Sequence, residues 1–261
     1  MGVRRCCYVA RILARTRIQL CGRITIELEG LRLEAGLPPG QGRLLFVYLV
    51  LNRMRPLSRD HVTAAIWPDE APAEAEANLR VLVSRLRRLL GASVVEGRST
   101  LRLALPPDSW VDVEVAARKV HEAEAAVHVR DWSRALPAAS TAFIIADRGL
   151  LPESDAPWVA EKRRWLQDVR VRALECDGVA SLGVGGSEVA AAERDARRLV
   201  ELAPYRESGY RLLMEALACR GNTAEALITY ERFRCLLRDE LGASPSEQTQ
   251  ALHRRLLQSG G

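Results

Sequence analysis

The apolar pattern of this chain changes period at Pro106-Pro107, and that change limits the folds open to it. Before the prolines, stretches in which apolar and polar residues alternate lie beside helical stretches; after them the 3.6-residue helical period dominates. The pattern predicts an α+β N-terminal domain followed by an all-α domain, and 261 residues suffice for both. The longest uninterrupted apolar run, residues 44–51, holds eight residues, well short of the roughly 18 to 20 that a membrane-spanning helix needs. No membrane partner is expected.

In the first part, Ile18, Leu20, Ile24, Ile26 and Leu28 alternate with polar residues and are broken by Gly22 and Gly30, which predicts short antiparallel strands. Residues 41–51 (QGRLLFVYLVL) are apolar on nearly every face, as in a buried helix. Ser58, a favoured N-cap, opens a second helix that runs through Val62, Ala65 and Ile66 to Trp67 and stops at Pro68. A lone Trp ending a helix fills a gap in a core more often than it binds anything.

Residues 73–90 (AEAEANLRVLVSRLRRLL) predict a third helix with Leu79, Leu82, Val83, Leu86, Leu89 and Leu90 on one face and Gly91 as its stop. Glu74 and Glu76 sit at the positive end of its dipole. Arg80, Val81, Ser84, Arg85, Arg87 and Arg88 occupy the opposite arc. Val94 and Val95, a turn at Glu96-Gly97-Arg98-Ser99, and the alternating Leu101, Leu103 and Leu105 form a hairpin. Strands, three helices and a hairpin in that order make a winged helix-turn-helix, expected over residues 17–107.

Beyond the prolines, EVAAAERDARRLVELAP and TAEALITYERFRCLLRD align with Ala192 over Ala226, a spacing of 34 that is the tetratricopeptide period. Gly221 is expected at the turn between paired helices, and Pro204 at the close of the earlier unit. RDWSRALPAASTAF, around Ala135, is out of phase by an inserted segment that carries Pro152, Pro157 and another helix. Residues 108–258 are therefore a tetratricopeptide-like array with an irregular first unit. Residues 1–16, basic and broken by Arg11, read as a disordered leader.

Residues 1–115 hold 17 basic and 12 acidic residues, whereas residues 116–261 hold 21 of each, so the whole net charge of +5 lies in the first part. Four of those arginines fall in the leader, so charge alone does not establish a nucleic-acid partner. The six cysteines form no CxxC pair and have no His at zinc-ligand spacing, as expected of reduced cytosolic thiols. His61, His121, His128 and His253 lack any matching Ser or Cys context, and His121-Glu122-Ala123-Glu124 lacks the second His of a zinc protease motif. No enzyme activity and no metal are expected.

Two parts of the sequence together resemble the Streptomyces antibiotic regulatory proteins, a family of bacterial transcriptional regulators. RIQLCGRITIEL, SRDHVTAAIWPDE and LRVLVSRLRRLLG resemble their OmpR-type winged helix. The segment YRLLMEALACRGNTAEALITYERFRCLLRDELGASPSEQTQALHRRLL resembles their bacterial transcriptional activation domain. The resemblance implies a sequence-specific activator of a pathway-specific gene set, binding direct repeats in double-stranded DNA near a promoter and contacting RNA polymerase, with a homodimer on DNA as a further partner. The nucleotide-binding module of larger relatives is not expected, because GxxxxGK[ST] is absent and Gly183 to Gly186 (GVGG) lacks the phosphate-reaching Lys. No cofactor follows, and the expected location is the cytoplasm, on the nucleoid.

The third helix of a winged helix enters the major groove, where guanidinium groups fork onto guanine O6/N7 or onto phosphate. Arg80, Ser84, Arg87 and Arg88 are the expected contacts, with Arg85 nearer the helix flank; the alternative for such residues is a solvated helix face. Arg98 at the hairpin tip is expected either at a phosphate or the minor groove, or merely as a solubilising turn residue. Arg87 is expected to be removable without loss of fold, and residues 17–107 to retain DNA recognition alone. The competing function is a protein-interaction adaptor whose winged helix has lost DNA, since residues 17–115 carry a net charge of only +1.

Overall fold

A computed structural model of the protein describes residues 16–259. The expected leader lies outside the described residues except for Thr16, whose carbonyl accepts the Trp110 N–H at 2.9 Å. The described residues divide into two compact units: residues 16–115 with 148–166, and residues 116–147 with 167–259.

The first unit opens with β1 (Arg17–Gln19), β2 (Thr25–Leu28) and β3 (Leu31–Arg32). β1 and β2 are antiparallel with Ile18 opposite Ile26, and both side chains are fully buried, as alternation requires. Three helices follow, α1 (Gln41–Leu51), α2 (Arg59–Ile66) and α3 (Ala75–Leu90). Ser58 caps α2 by accepting the His61 N–H at 3.2 Å, and Gly91, at φ +102°, ends α3. β4 (Leu57–Ser58), β5 (Val95–Glu96) and β6 (Thr100–Leu103) form a second sheet of order β4-β6-β5. Leu101 and Leu103 of β6 are buried while Arg102 is exposed. The core gathers Leu20, Phe46, Leu49, Leu79, Leu86 and Leu101, each at most 1% exposed.

This unit does not end at residue 107. β7 (Trp110–Val111) returns to the first sheet and pairs parallel with β1, placing Val111 opposite Ile18. The next residue, Asp112, is fully buried and accepts the backbone N–H groups of Leu20 (3.0 Å), Cys21 (2.8 Å) and Val113 (2.8 Å). Burial raises its pKa against the lowering effect of those amides. Glu114 forks onto Arg53 at 2.7 and 2.8 Å.

Residues 148–166 belong to the same unit. The Gly22 N–H donates to Gly149 O at 2.8 Å and the Trp158 indole N–H to Ala65 O at 3.0 Å, while within the segment Arg163 Nε donates to Leu150 O at 2.8 Å. Trp158 also packs on Tyr48, with ring centroids 5.1 Å apart. The division expected at 107/108 therefore falls inside a packed unit, because hydrogen bonds to distant residues leave no mark in a local apolar period.

The rest of the described chain is helical: α4 (Asp112–His128), α5 (Trp132–Asp147), α6 (Pro157–Val184), α7 (Val189–Leu202), α8 (Glu207–Cys219), α9 (Thr223–Leu241) and α10 (Glu247–Ser259). In the second unit, Ala123 of α4, Ala138 and Ala139 of α5 and Cys176 of α6 share one small-residue cluster. Leu212 and Leu217 of α8, Ala226 and Tyr230 of α9 and Leu252 of α10 share another. Ala192 and Ala226 occupy matching helices 34 residues apart and are both fully buried, so the unit is tetratricopeptide-like. Gly221, at φ +81°, stands in the turn between the packed helices α8 and α9, and Pro204 follows the end of α7.

No described helix is long and apolar enough to cross a membrane. Of the cysteines in the described residues, Cys21 and Cys176 are buried, Cys219 is exposed and Cys235 is half-buried, all as free thiols.

Candidate nucleic-acid interface

The site is built on α3, whose sequence splits the helix into two faces. Leu79, Val83, Leu86 and Leu90 are buried, while Leu82 and Leu89 lie half-buried at the margins. Arg80, Val81, Ser84, Arg85 and Arg88 are exposed, together with Ala77 and Asn78 one turn earlier. A spacing of four residues on a 3.6-residue helix places Arg80, Ser84 and Arg88 along one stripe with Arg85 toward its flank. The arc therefore presents three guanidinium groups, one hydroxyl and the Val81 isopropyl group, which is 49% exposed.

Arg87 stands apart from that stripe. It is half-buried, its Nε donates to Val95 O at 3.0 Å, and its Nη2 donates to Gly97 O. Arg87, expected among the DNA contacts and as removable without loss of fold, has its fork occupied by the hairpin backbone. Position 87 lies between the apolar and exposed faces, next to β5, and a long side chain there reaches the nearest unpaired carbonyls.

Arg80 is 70% exposed and pairs with Glu76 one turn earlier at 3.3 Å. The same Glu76 oxygen, Oε1, also accepts Arg59 Nε at 2.9 Å. Arg59, the first residue of α2, donates through Nη1 to Arg98 O in the hairpin turn at 3.1 Å. The Arg98 residue itself is exposed. The turn requires glycine at 97: φ is +90°, and a Cβ there would collide with the Thr100 carbonyl oxygen.

Sequence reasoning missed Arg59 and the double role of Glu76. A residue at the start of a helix carries no periodic signal, and a carboxylate shared by two arginines from different helices is visible only once those helices pack. One cleft of this unit lies away from α3, lined by Gly40, Arg43, Leu151 and Ser154. Among the described residues no group of three His, Cys, Asp or Glu side chains is placed to hold a metal ion. The arrangement offers a convex, guanidinium-bearing helix beside a hairpin tip, suited to an anionic groove rather than to an enclosed small molecule.

The family model described as bacterial transcriptional activator domain matches residues 111–257. The chain is similar to the transcriptional regulatory protein EmbR of Mycobacterium tuberculosis, 29% identical over 258 residues, which is 95% of this chain and 65% of EmbR. It is similar to the regulatory protein AfsR of Streptomyces coelicolor, 32% identical over 250 residues, or 93% of this chain and 24% of AfsR. Its structure resembles that of M. tuberculosis EmbR solved in complex with a low-affinity phosphopeptide, with a TM-score of 0.81 and 26% identity over 94% of this chain and 65% of that one. The chain thus spans about two thirds of EmbR and about a quarter of AfsR.

Proposed function

The chain belongs to the bacterial transcriptional activator domain family, and from that premise we propose that it is a sequence-specific DNA-binding activator of transcription. The observation that carries the reading is the exposed stripe of Arg80, Ser84 and Arg88 on α3, backed by a leucine face and set beside a hairpin tip bearing Arg98. In this reading the first unit is a winged helix-turn-helix, with α3 as recognition helix and β5–β6 as the wing. Arg80, Ser84, Arg85 and Arg88 contact base edges or phosphates in the major groove, and Arg98 contacts a phosphate or the minor groove. Arg87 contributes by holding the wing.

The second unit, nearly all within the matched residues 111–257, contacts RNA polymerase or pairs two copies on direct repeats. The net charge of only +1 over residues 17–115 favours recognition by a few directed arginines over a broad field, so non-specific binding is weak and specific binding retains a moderate salt slope. The similarity to EmbR and AfsR supports the reading, both being named as regulators.

The test is selection of duplex DNA from a random pool by the purified chain, followed by titration of the enriched sequence against salt. Enrichment of one motif, with affinity falling linearly in log[salt], is expected. Weak binding to every duplex alike would instead support an adaptor built on the helical unit.

A further inference from the structure

We infer that Arg59, which lies on none of the surfaces assigned to DNA, is a positioning residue that fixes the hairpin tip so that Arg98 is presented in one place relative to α3. This inference rests on the DNA-binding reading above. Two consecutive carbonyls of the tip are each held by an arginine from a different helix: Gly97 O by Arg87 of α3 and Arg98 O by Arg59 of α2. The other edge of the Arg59 guanidinium is held by Glu76 in the first turn of α3. Arg59 is thus a strut from the start of the recognition helix to the tip.

The surroundings argue for an internal role. The Arg59 side chain is only 18% exposed, and its Nη2 is buried without a protein partner, so the fork is largely enclosed by the protein. Its backbone is anchored beside β4, where Ser58 pairs with Thr100 of β6, which makes the strut short. The hairpin needs such support. β5 has two residues and β6 four, too little ladder to define a tip by itself. A tip ordered before binding avoids the entropy cost of ordering it on DNA.

The experiment uses the full chain and the duplex that the wild type selects. Arg59→Lys keeps the charge and the pairing with Glu76 but cannot fork across to the Arg98 carbonyl. Arg98→Ala and Arg59→Lys are each expected to weaken binding on the order of tenfold, and the double variant to be no weaker than either alone. In the DNA-free protein, amides of residues 97–100 are expected to exchange faster in Arg59→Lys than in the wild type. Fold-losses that multiply in the double variant, an Arg98→Ala protein with wild-type affinity, or unchanged exchange at the tip would each overturn the strut. A wild-type chain that selects no duplex overturns the DNA-binding reading instead, and the exchange measurement then still decides whether Arg59 holds the tip.

Discussion

Arg87 Nε lies 3.0 Å from the carbonyl oxygen of Val95, so an arginine of the helix that presents the basic stripe is bonded to the backbone of the neighbouring hairpin. Its neighbour Arg88 is exposed. Two adjacent residues of the same type therefore have separable tasks. Arg87→Ala removes charge-assisted bonds to two carbonyls and is expected to lower stability by about 1 kcal/mol, discounted because the fork is partly solvated. Arg88→Ala is expected to change stability by less than about 0.5 kcal/mol. The same Arg88→Ala change should cost DNA affinity about 1 to 3 kcal/mol. Chemical denaturation and duplex titration of both variants distinguish the two tasks, and equal stability losses would remove the distinction.

What the sequence made legible is what a short window encodes. The Ser58 cap, the bounds of α1, the leucine face of α3 and the Ala192/Ala226 repeat all follow from local period or capping chemistry. β7 did not, because a two-residue strand has no period and its partner β1 lies more than 90 residues earlier. The packing of residues 148–166 was hidden for the same reason: Trp158 reaches Ala65 O and the Tyr48 ring, and Gly149 O accepts the Gly22 N–H, all from residues far away in sequence. In the candidate site, the exposed stripe was legible from helical spacing, whereas the occupied forks of Arg87 and Arg59 depend on where the hairpin lands.

The apolar face of α3 gives a second prediction. Leu86 is fully buried, so Leu86→Ala is expected to destabilise the fold by about 2 to 5 kcal/mol. Binding should fall only in proportion to the unfolded fraction. A Leu86→Ala protein with the wild-type denaturation midpoint would place the buried face of α3 elsewhere.

Asp195 on α7 sets a pH dependence in the second unit. Burial, and then the neighbouring Asp177 charge, push its pKa from 3.8 up to about 6, against the lowering effect of Arg194 and Arg198. Asp177 is itself raised by burial, although Ser140 donates to its carboxylate at 2.9 Å. Between pH 3.8 and about 6 the folded chain keeps a proton that the unfolded chain releases, so this group lowers stability as pH rises through that window. Above it the penalty is complete. Asp195→Asn is expected to be more stable than the wild type above about pH 6, with the difference shrinking toward pH 3.8. Denaturation midpoints of both proteins across that range measure the effect, and a gap that widens on acidification would reverse the sign argued here.

The last prediction concerns where the first unit can be cut. A fragment of residues 16–107 lacks β7, leaving β1 without its parallel partner. It also lacks Asp112, so the Leu20 and Cys21 amides, which belong to fully buried residues, lose their acceptor. Each buried donor left unpaired costs roughly 1 to 3 kcal/mol. The fragment further loses Glu114 from Arg53 and the Trp158 ring from Tyr48. Domains of this size have only about 5 to 15 kcal/mol to lose. A fragment ending at residue 107 is therefore expected to unfold without a cooperative transition and to lose specific DNA binding, whereas one ending at residue 166 keeps all of these partners and both properties. Circular dichroism melts and duplex titration of the two fragments beside the full chain make the comparison. A cooperative melt of residues 16–107 at the temperature of the full chain would show that β7, Asp112 and residues 148–166 add nothing to the stability of the N-terminal unit.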